Sequence, residues 1–381
     1  MVARGPGAVG CAHCTKLGAV VACGVCKHLV CEACANDWST CDQPWGRMFR
    51  LGNTARLVDV DPTARVALVS RWLGPMRYVD LRALRWVEDG EVPALVRGRD
   101  LRPRLTSDGR MLQHAWVFGS EYTPPYRGLA VSAVAPKRTH LETRTPEPVR
   151  CTGMSLRDDR YWYVTATEQV AIVRTAAATL PGNATTVAVG PSDAVARLEV
   201  ASYDPLPRKV IQCAFIDDAR DLLVAASWGE IIVHRIVGDK LDQTCYLKTS
   251  GDVVWVAIAG PYLAAHVKGG PERGITVWKL DARLAITGVA LRVEDKVAIA
   301  ALSRDGRYLV VGLTDDLVRL HGLDDGSVTT FDEHTDDVSY VGFLGDDQLL
   351  VTADDDNRVI IRPRTPGGYA RALMETTLAG D

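Results

Sequence analysis

The chain is predicted to be all-β, built from a recurring four-stranded unit, with a small metal-bound domain in front of it. Three features of its 381 residues predict this. Seven of the ten cysteines fall inside 31 residues near the start. From about Met48 onward, apolar residues come in runs of four to six that are too short for helices. Segments with the same opening then recur at an almost constant interval. With 47% hydrophobic and 24% charged residues, the chain carries ample material for a core and is not disordered. Its formal charge of −3 and pI near 6.3 argue against a chain made chiefly to grip nucleic-acid phosphates or anionic lipid.

Six of the clustered cysteines form three CxxC pairs: Cys11 with Cys14, Cys23 with Cys26, and Cys31 with Cys34; Cys41 follows alone. A two-residue gap lets two thiolates from one tight knuckle take adjacent corners of a zinc tetrahedron. Disulfide staples and a redox dithiol are the alternatives. Against disulfides, CxxC pairs make strained bridges, and the first ten residues have no apolar signal segment leading to an oxidising compartment. A closed four-cysteine site leaves no place for water, so such a zinc holds a fold rather than performing chemistry.

The order of the pairs, and above all the run CKHLVCEACANDW, resembles the cross-brace and treble-clef fingers of the RING, B-box and FYVE families. In those families the first and third pairs share one metal. The resemblance thus implies a complete site of Cys11, Cys14, Cys31 and Cys34, and a second begun by Cys23, Cys26 and Cys41. Cys41 is followed by Asp42-Gln43-Pro44 with no eighth cysteine, so the second site needs another ligand. His28 is preferred, because Cys26-x-His28-xx-Cys31-xx-Cys34 matches the RING spacing around its histidine; His13, Asp37 and Asp42 are the others. One zinc ion is expected, and a second if that ligand is supplied.

Beyond the finger, runs rich in Val, Ile, Leu and Tyr are broken by Asp-Gly, Gly-Asp, Pro-Gly and Asp-Asp turns, the punctuation of short strands. Segments beginning at Val210, Val253, Val297 and Val338 start alike, at spacings of 43, 44 and 41 residues. A four-stranded sheet with two apolar faces cannot bury both alone. A ring of such sheets covers each face with a neighbour and leaves only short outer edges.

These units resemble WD repeats, whose fold is a β-propeller. In the last unit His334, Thr352 and Asp356 stand where the family's hydrogen-bond network places a His, a Ser or Thr and an Asp, and Arg362 replaces the signature tryptophan. Asp315 fills the aspartate place one unit earlier, and Trp278 the tryptophan place in the unit before that. Further units are expected from Ala55, from Val92 to Pro148, and from Val149, the last lengthened by residues 181–207. The fold expected is therefore a degenerate, WD-repeat-like propeller of seven blades over residues 47–381, preceded by a zinc finger over 1–46. The ring is closed by Arg47–Leu51 or by Arg371–Thr376.

No phosphate loop, GxSxG, HExxH or partnered catalytic cysteine is present in the sequence, so no catalytic residues are assigned. His114, His140, His234, His266, His321 and His334 occur singly and are expected to be structural. Charge is lopsided: residues 301–361 carry fourteen acidic groups against four arginines, whereas 94–157 carry eleven basic against five acidic. The Asp354–Asn357 cluster lacks the spacing and distal Glu of a calcium loop and is read as a turn. The function expected is that of a non-catalytic scaffold or adaptor, recruiting one protein partner through the finger and another through the propeller. The alternative is a RING-like ubiquitin-type ligase module with the propeller as substrate receptor, and a propeller hydrolase is the third reading. Only nine of the 44 basic residues are lysine, a bias expected of a GC-rich bacterial genome. With neither signal peptide nor a run of about 20 apolar residues, the expected location is the cytoplasm, away from membrane and nucleic acid.

Overall fold

The computed structural model describes residues 20–22, 29–31, 47–51, 55–60, 66–71, 74–81, 85–91, 104–105, 110–115, 128–133, 140–144, 149–154, 160–165, 170–174, 186–188, 195–198, 211–217, 220–237, 240–294, 296–344, 347, 349–364 and 375–377. Before Ile211, side chains are described only at 48–51, 55–60, 66–70, 77–81 and 86–87. Every regular element among these residues is a β-strand, and no helix there is long and apolar enough to cross a membrane.

A hairpin of β1 (Val20–Ala22) and β2 (Leu29–Cys31) comes first, pairing Val20 with Cys31 and Ala22 with Leu29. The six residues joining its strands in sequence include Cys23, Cys26 and His28. The side chains of the eight proposed ligands lie outside the described residues.

The closing strand β3 (Arg47–Arg50) comes next, followed by an antiparallel sheet of β4 (Ala55–Val60), β5 (Val66–Arg71), β6 (Gly74–Asp80) and β7 (Arg85–Glu91). The second large sheet joins β8 (Arg104–Leu105), β9 (Arg110–Ala115), β10 (Gly128–Ala133) and β11 (His140–Arg144). A fifth strand, β15 (Thr186–Ala188), adds to it in parallel, His140 opposite Thr186. That strand comes from the stretch expected to lengthen the following unit, so part of the insertion covers the edge of the neighbour before it. The next sheet is β12 (Val149–Met154), β13 (Arg160–Thr165), β14 (Val170–Arg174) and β16 (Val195–Leu198).

A six-stranded sheet follows: β17 (Ile211–Asp217), β18 (Leu222–Val237), β19 (Lys240–Ala259), β20 (Tyr262–Lys268), β21 (Gly274–Leu280) and β22 (Ile286–Val293). Two of its strands do double duty. The chain of β18 turns back at Trp228-Gly229, where Gly229 takes φ 79°, and the Ile236 amide donates to the Asp221 carbonyl at 2.7 Å. β17 pairs with the first half of β18, and the first half of β19 with the second. The repeat start at Val253 lies inside β19, not at a strand boundary. The remaining starts coincide with strands: β23 (Val297–Leu302) opens a sheet with β24 (Tyr308–Leu313), β25 (Val318–Gly322) and β26 (Val328–Phe331), and β27 (Val338–Leu344) opens the last with β28 (Leu349–Asp354) and β29 (Arg358–Pro363).

The runs of apolar residues are explained by burial on both faces. Successive strand residues point to opposite sides. On β20, Leu263, Ala265 and Val267 join a cluster with Val224, Val233 and Trp278, while Tyr262 and Ala264 join another with Leu309 and Val311. On β24, Leu309, Val311 and Leu313 face back toward β20, and Val310 faces forward to Val338 and Leu350. On β28, Leu349, Val351 and Ala353 pack forward against Leu57, Ala67, Val79 and Trp86 of the sheet that began the series. The last large sheet therefore lies against the first, and the stack is a ring.

Two strands distant in sequence seal that joint. β3 pairs antiparallel with β29, Arg50 opposite Arg358, and β30 (Glu375–Thr377) adds outside it in parallel, Phe49 opposite Thr376. The two closing segments expected as alternatives are used together, with β3 the inner one. Phe49 is fully buried in the joint. The Tyr340 hydroxyl donates to Asp59 at 2.8 Å across it, and Arg56 meets Asp355 at 3.0 Å.

Candidate functional site: an acidic edge on the last two repeat units

Hairpins between the second and third strands, and connections from one sheet to the next, emerge along the same edge of the ring. In the last two units these are residues 314–317, 332–337 and 355–357. The Asp355 amide donates to the Asp337 carbonyl at 3.0 Å, tying two of them together. Asp316 and Asn357 both take φ 65°, a conformation that Asp and Asn tolerate better than most residues.

Beneath this edge lies a buried polar network. His334, on the connection into β27, shares a hydrogen bond through Nδ1 with Asp354 Oδ2 at 2.9 Å and one through Nε2 with Thr352 Oγ1 at 2.8 Å. Asp354 also takes the Thr335 amide at 3.3 Å and, at Oδ1, the Arg358 amide at 2.8 Å. Burial would raise the Asp354 carboxyl. The bonds from His334, Arg358 and Thr335, with the field of the imidazole, outweigh it and hold the group below its ordinary value. The expected place of the aspartate is thus corrected: Asp354, not Asp356, is the partner of His334. Asp356 instead accepts a hydrogen bond from the Thr335 hydroxyl at 3.1 Å. The reason is strand geometry, because Thr352 and Asp354 are two residues apart on β28 and share one face, whereas Asp356 is already in the turn. Of the cluster from Asp354 to Asn357, residues 355–357 form the expected turn, and Asp354 ends β28.

Arg362, in the tryptophan place, is buried to 1% exposure directly across from Leu350. Its Nη1 donates to both carboxylate oxygens of Glu333, at 2.7 and 2.8 Å, and its guanidinium lies over the Phe331 ring at 4.4 Å. Arg358 donates through Nη1 to the Glu333 carbonyl. An ion pair and a cation–π contact satisfy the buried guanidinium, and they pin the connection carrying His334. Neither Glu333 nor Asp354 stands out in the sequence as a network residue. The two-residue spacing from Thr352 marks Asp354 in retrospect; nothing local marks Glu333, whose partner is 29 residues away.

Above the network, the carboxylate oxygens of Asp316, Asp336 and Asp337 lie within 4.8 Å of one another. Asp315 and Asp332 are exposed on the same edge. Like charges gathered this closely are costly in isolation and favour a cationic neighbour.

The remaining expected residues are distributed as structural groups. Trp278 is buried among Leu280, Leu284 and Val256. His234 and His266 are buried, and burial lowers each imidazole to about 4, with Lys268 adding to the effect at His266, so both are neutral near pH 7. His321 is buried as well. The side chains of His114 and His140 lie outside the described residues.

Sheets of four to six strands stacked face to face in a ring, one of them headed by a buried His–Thr–Asp network, make this an all-β protein with the fold of a WD-repeat β-propeller. Residues 326–361, the unit that keeps the network, match the family described as WD domain, G-beta repeat. Among solved structures the fold is similar to the "Crystal structure of Myceliophteria thermophila Cps50 (Swd1) beta-propeller domain", with a TM-score of 0.59 at 12% identity over 84% of this chain and 98% of that one. No curated protein matches the chain.

Proposed function

We propose that the protein is a non-catalytic adaptor that recruits a basic segment of a protein partner to the acidic edge of its last two repeat units. The observation that supports this reading is the crowding of Asp316, Asp336 and Asp337, with Asp315 and Asp332 beside them, where the connection 332–337 is held in place by a buried network. Complementary charge of this kind acts mainly on encounter rate and partner choice. Taking the six-stranded sheet as two units, because β18 and β19 each span two strands of the repeat, gives a seven-bladed ring.

The cysteine-rich start forms, in this proposal, a structural zinc domain that holds a second partner. Cys11, Cys14, Cys31 and Cys34 share one zinc, and Cys23, Cys26, Cys41 and His28 are the candidate ligands of a second. The CxxC spacings and the β1–β2 hairpin, whose connection carries one such pair, support it. Metal analysis of the purified chain is expected to find at least one zinc per molecule. Cys31→Ser should lower that number while the propeller's cooperative unfolding persists.

The adaptor reading is tested by pulldown from native lysate with the full chain and with a variant carrying Asp332→Lys, Asp336→Lys and Asp337→Lys. A partner captured by the first, weakened by salt and lost from the second supports the reading. A partner retained equally by both, or turnover of a small molecule by the isolated protein, refutes it.

A further inference from the structure

Opposite the acidic edge, the turns between first and second strands of neighbouring units touch in sequence. Arg220 binds Asp217 within its own turn at 2.7 Å and donates through Nη1 to the Gly260 carbonyl of the next. Gly260 and Gly306, with φ 51° and 72°, nest so closely that a Cβ on either would collide with backbone oxygen, of Asp305 and Ala259 respectively. The following contact is different in kind. The Asp305 amide donates to Asp347 Oδ2 at 3.1 Å, so a carboxylate of the last unit caps the turn 303–306 of the unit before it.

Asp347 is 4% exposed and takes φ 65°. Its surroundings contain one group of each sign on the capped turn: the Asp305 carboxylate, which repels it, and Arg304, which attracts it and whose amide also donates to it. Arg364, beyond β29, lies 3.8 Å from Asp305 Oδ2 and stacks over the Tyr308 ring at 4.0 Å, so its charge is directed to Asp305. Asp305 is further bound by the Ser303 hydroxyl at 2.7 Å and the Arg307 amide at 2.9 Å, which hold its carboxylate within the capped turn. Asp346, next in sequence, lies outside the described residues. A nearly dry carboxyl facing a second carboxylate is better accommodated neutral than charged.

We propose that Asp347 is a pH-responsive latch between the last two repeat units, holding them more tightly when its carboxyl is protonated than when it is ionised. Burial pushes the Asp347 carboxyl up from its ordinary value; the Asp305 charge adds to this, and the two amides and Arg304 work against it. For a carboxyl raised in the folded state, the sign is the reverse of the usual acidic residue. Its contribution is present at low pH and is lost as pH rises through the folded value, so above that value the ionised latch is a built-in weakness of this joint.

The test is thermal unfolding of the full chain and of Asp347→Asn from pH 4.5 to 8.5. Asparagine keeps an acceptor for the Asp305 amide and removes the charge. The expected result is a midpoint about 2 °C higher for the variant at pH 8, with the gain disappearing toward the acid end. A variant less stable at every pH, or a difference that does not change with pH, overturns the proposal and makes Asp347 an ordinary hydrogen-bond acceptor. Asp305→Asn supplies an independent check, since it leaves Asp347 in place and removes the facing charge. Its difference from the native protein must also grow with pH; a flat difference overturns the proposal.

Discussion

Arg362 shows how a single residue can depart from a repeat's pattern and still serve it. A buried guanidinium is tolerable only because Glu333 neutralises it and Phe331 offers it a ring face. Removing one member of such a pair costs more than removing both. Glu333→Ala is expected to destabilise the protein by about 3 kcal/mol, because it leaves the cation buried and unpaired, whereas Glu333→Ala with Arg362→Leu should cost clearly less. Chemical denaturation of the two variants measures the difference. Equal losses would show that the ion pair does not act as a unit. The sequence marked Arg362 as a substitution and gave no hint of its compensation, since an ion pair across 29 residues has no local signature.

At the scale of elements, the strands were legible where apolar runs are bounded by turn residues, as in the runs at Val297 and Val338 that became β23 and β27. Register and partnership were less so. By its sequence the 181–207 stretch lengthens its own unit, whereas part of it, β15, pairs with the neighbouring sheet instead. Closure is the element whose loss should matter most. β3 brings the fully buried Phe49 into the joint between last and first sheets, whereas β30 adds only three outer residues. Phe49→Ala should cost about 3–5 kcal/mol, and truncation after residue 370 considerably less. Unfolding midpoints decide the matter; a truncation as damaging as Phe49→Ala would mean that the outer strand is the principal clasp.

For the whole molecule, acid is the informative perturbation. His234 and His266 are buried neutral with imidazoles lowered to about 4, so folding opposes their protonation. Their contribution is intact above the unfolded value near 6.5 and is lost as pH falls from there toward 4, by up to about 3 kcal/mol for each. Stability should therefore decline below about pH 6.5, opposed in part by Asp347, which gains as pH falls. His266→Asn is expected to shallow the acid limb of a plot of midpoint against pH. A limb of unchanged slope would mean that water reaches the histidine. Salt offers a complementary test, since attraction to the acidic edge is screened over about 10 Å at 0.1 M while the buried network is screened far less.

Alone, the sequence determined the all-β class, the repeat interval, the two-faced burial of the strands and the identity of His334, Thr352 and Arg362 as special positions. Each of these is written in spacing along the chain, and spacing of two or of about 43 residues survives without knowledge of the fold. Only the tertiary structure decided that Asp354 and not Asp356 completes the network, that Glu333 answers Arg362, that β3 and β30 seal one joint, and that Asp347 caps a neighbour's turn. Those facts depend on which sheet faces which. Contacts between units are made by side chains distant in sequence, and the closing of the ring is what brings them within hydrogen-bond range.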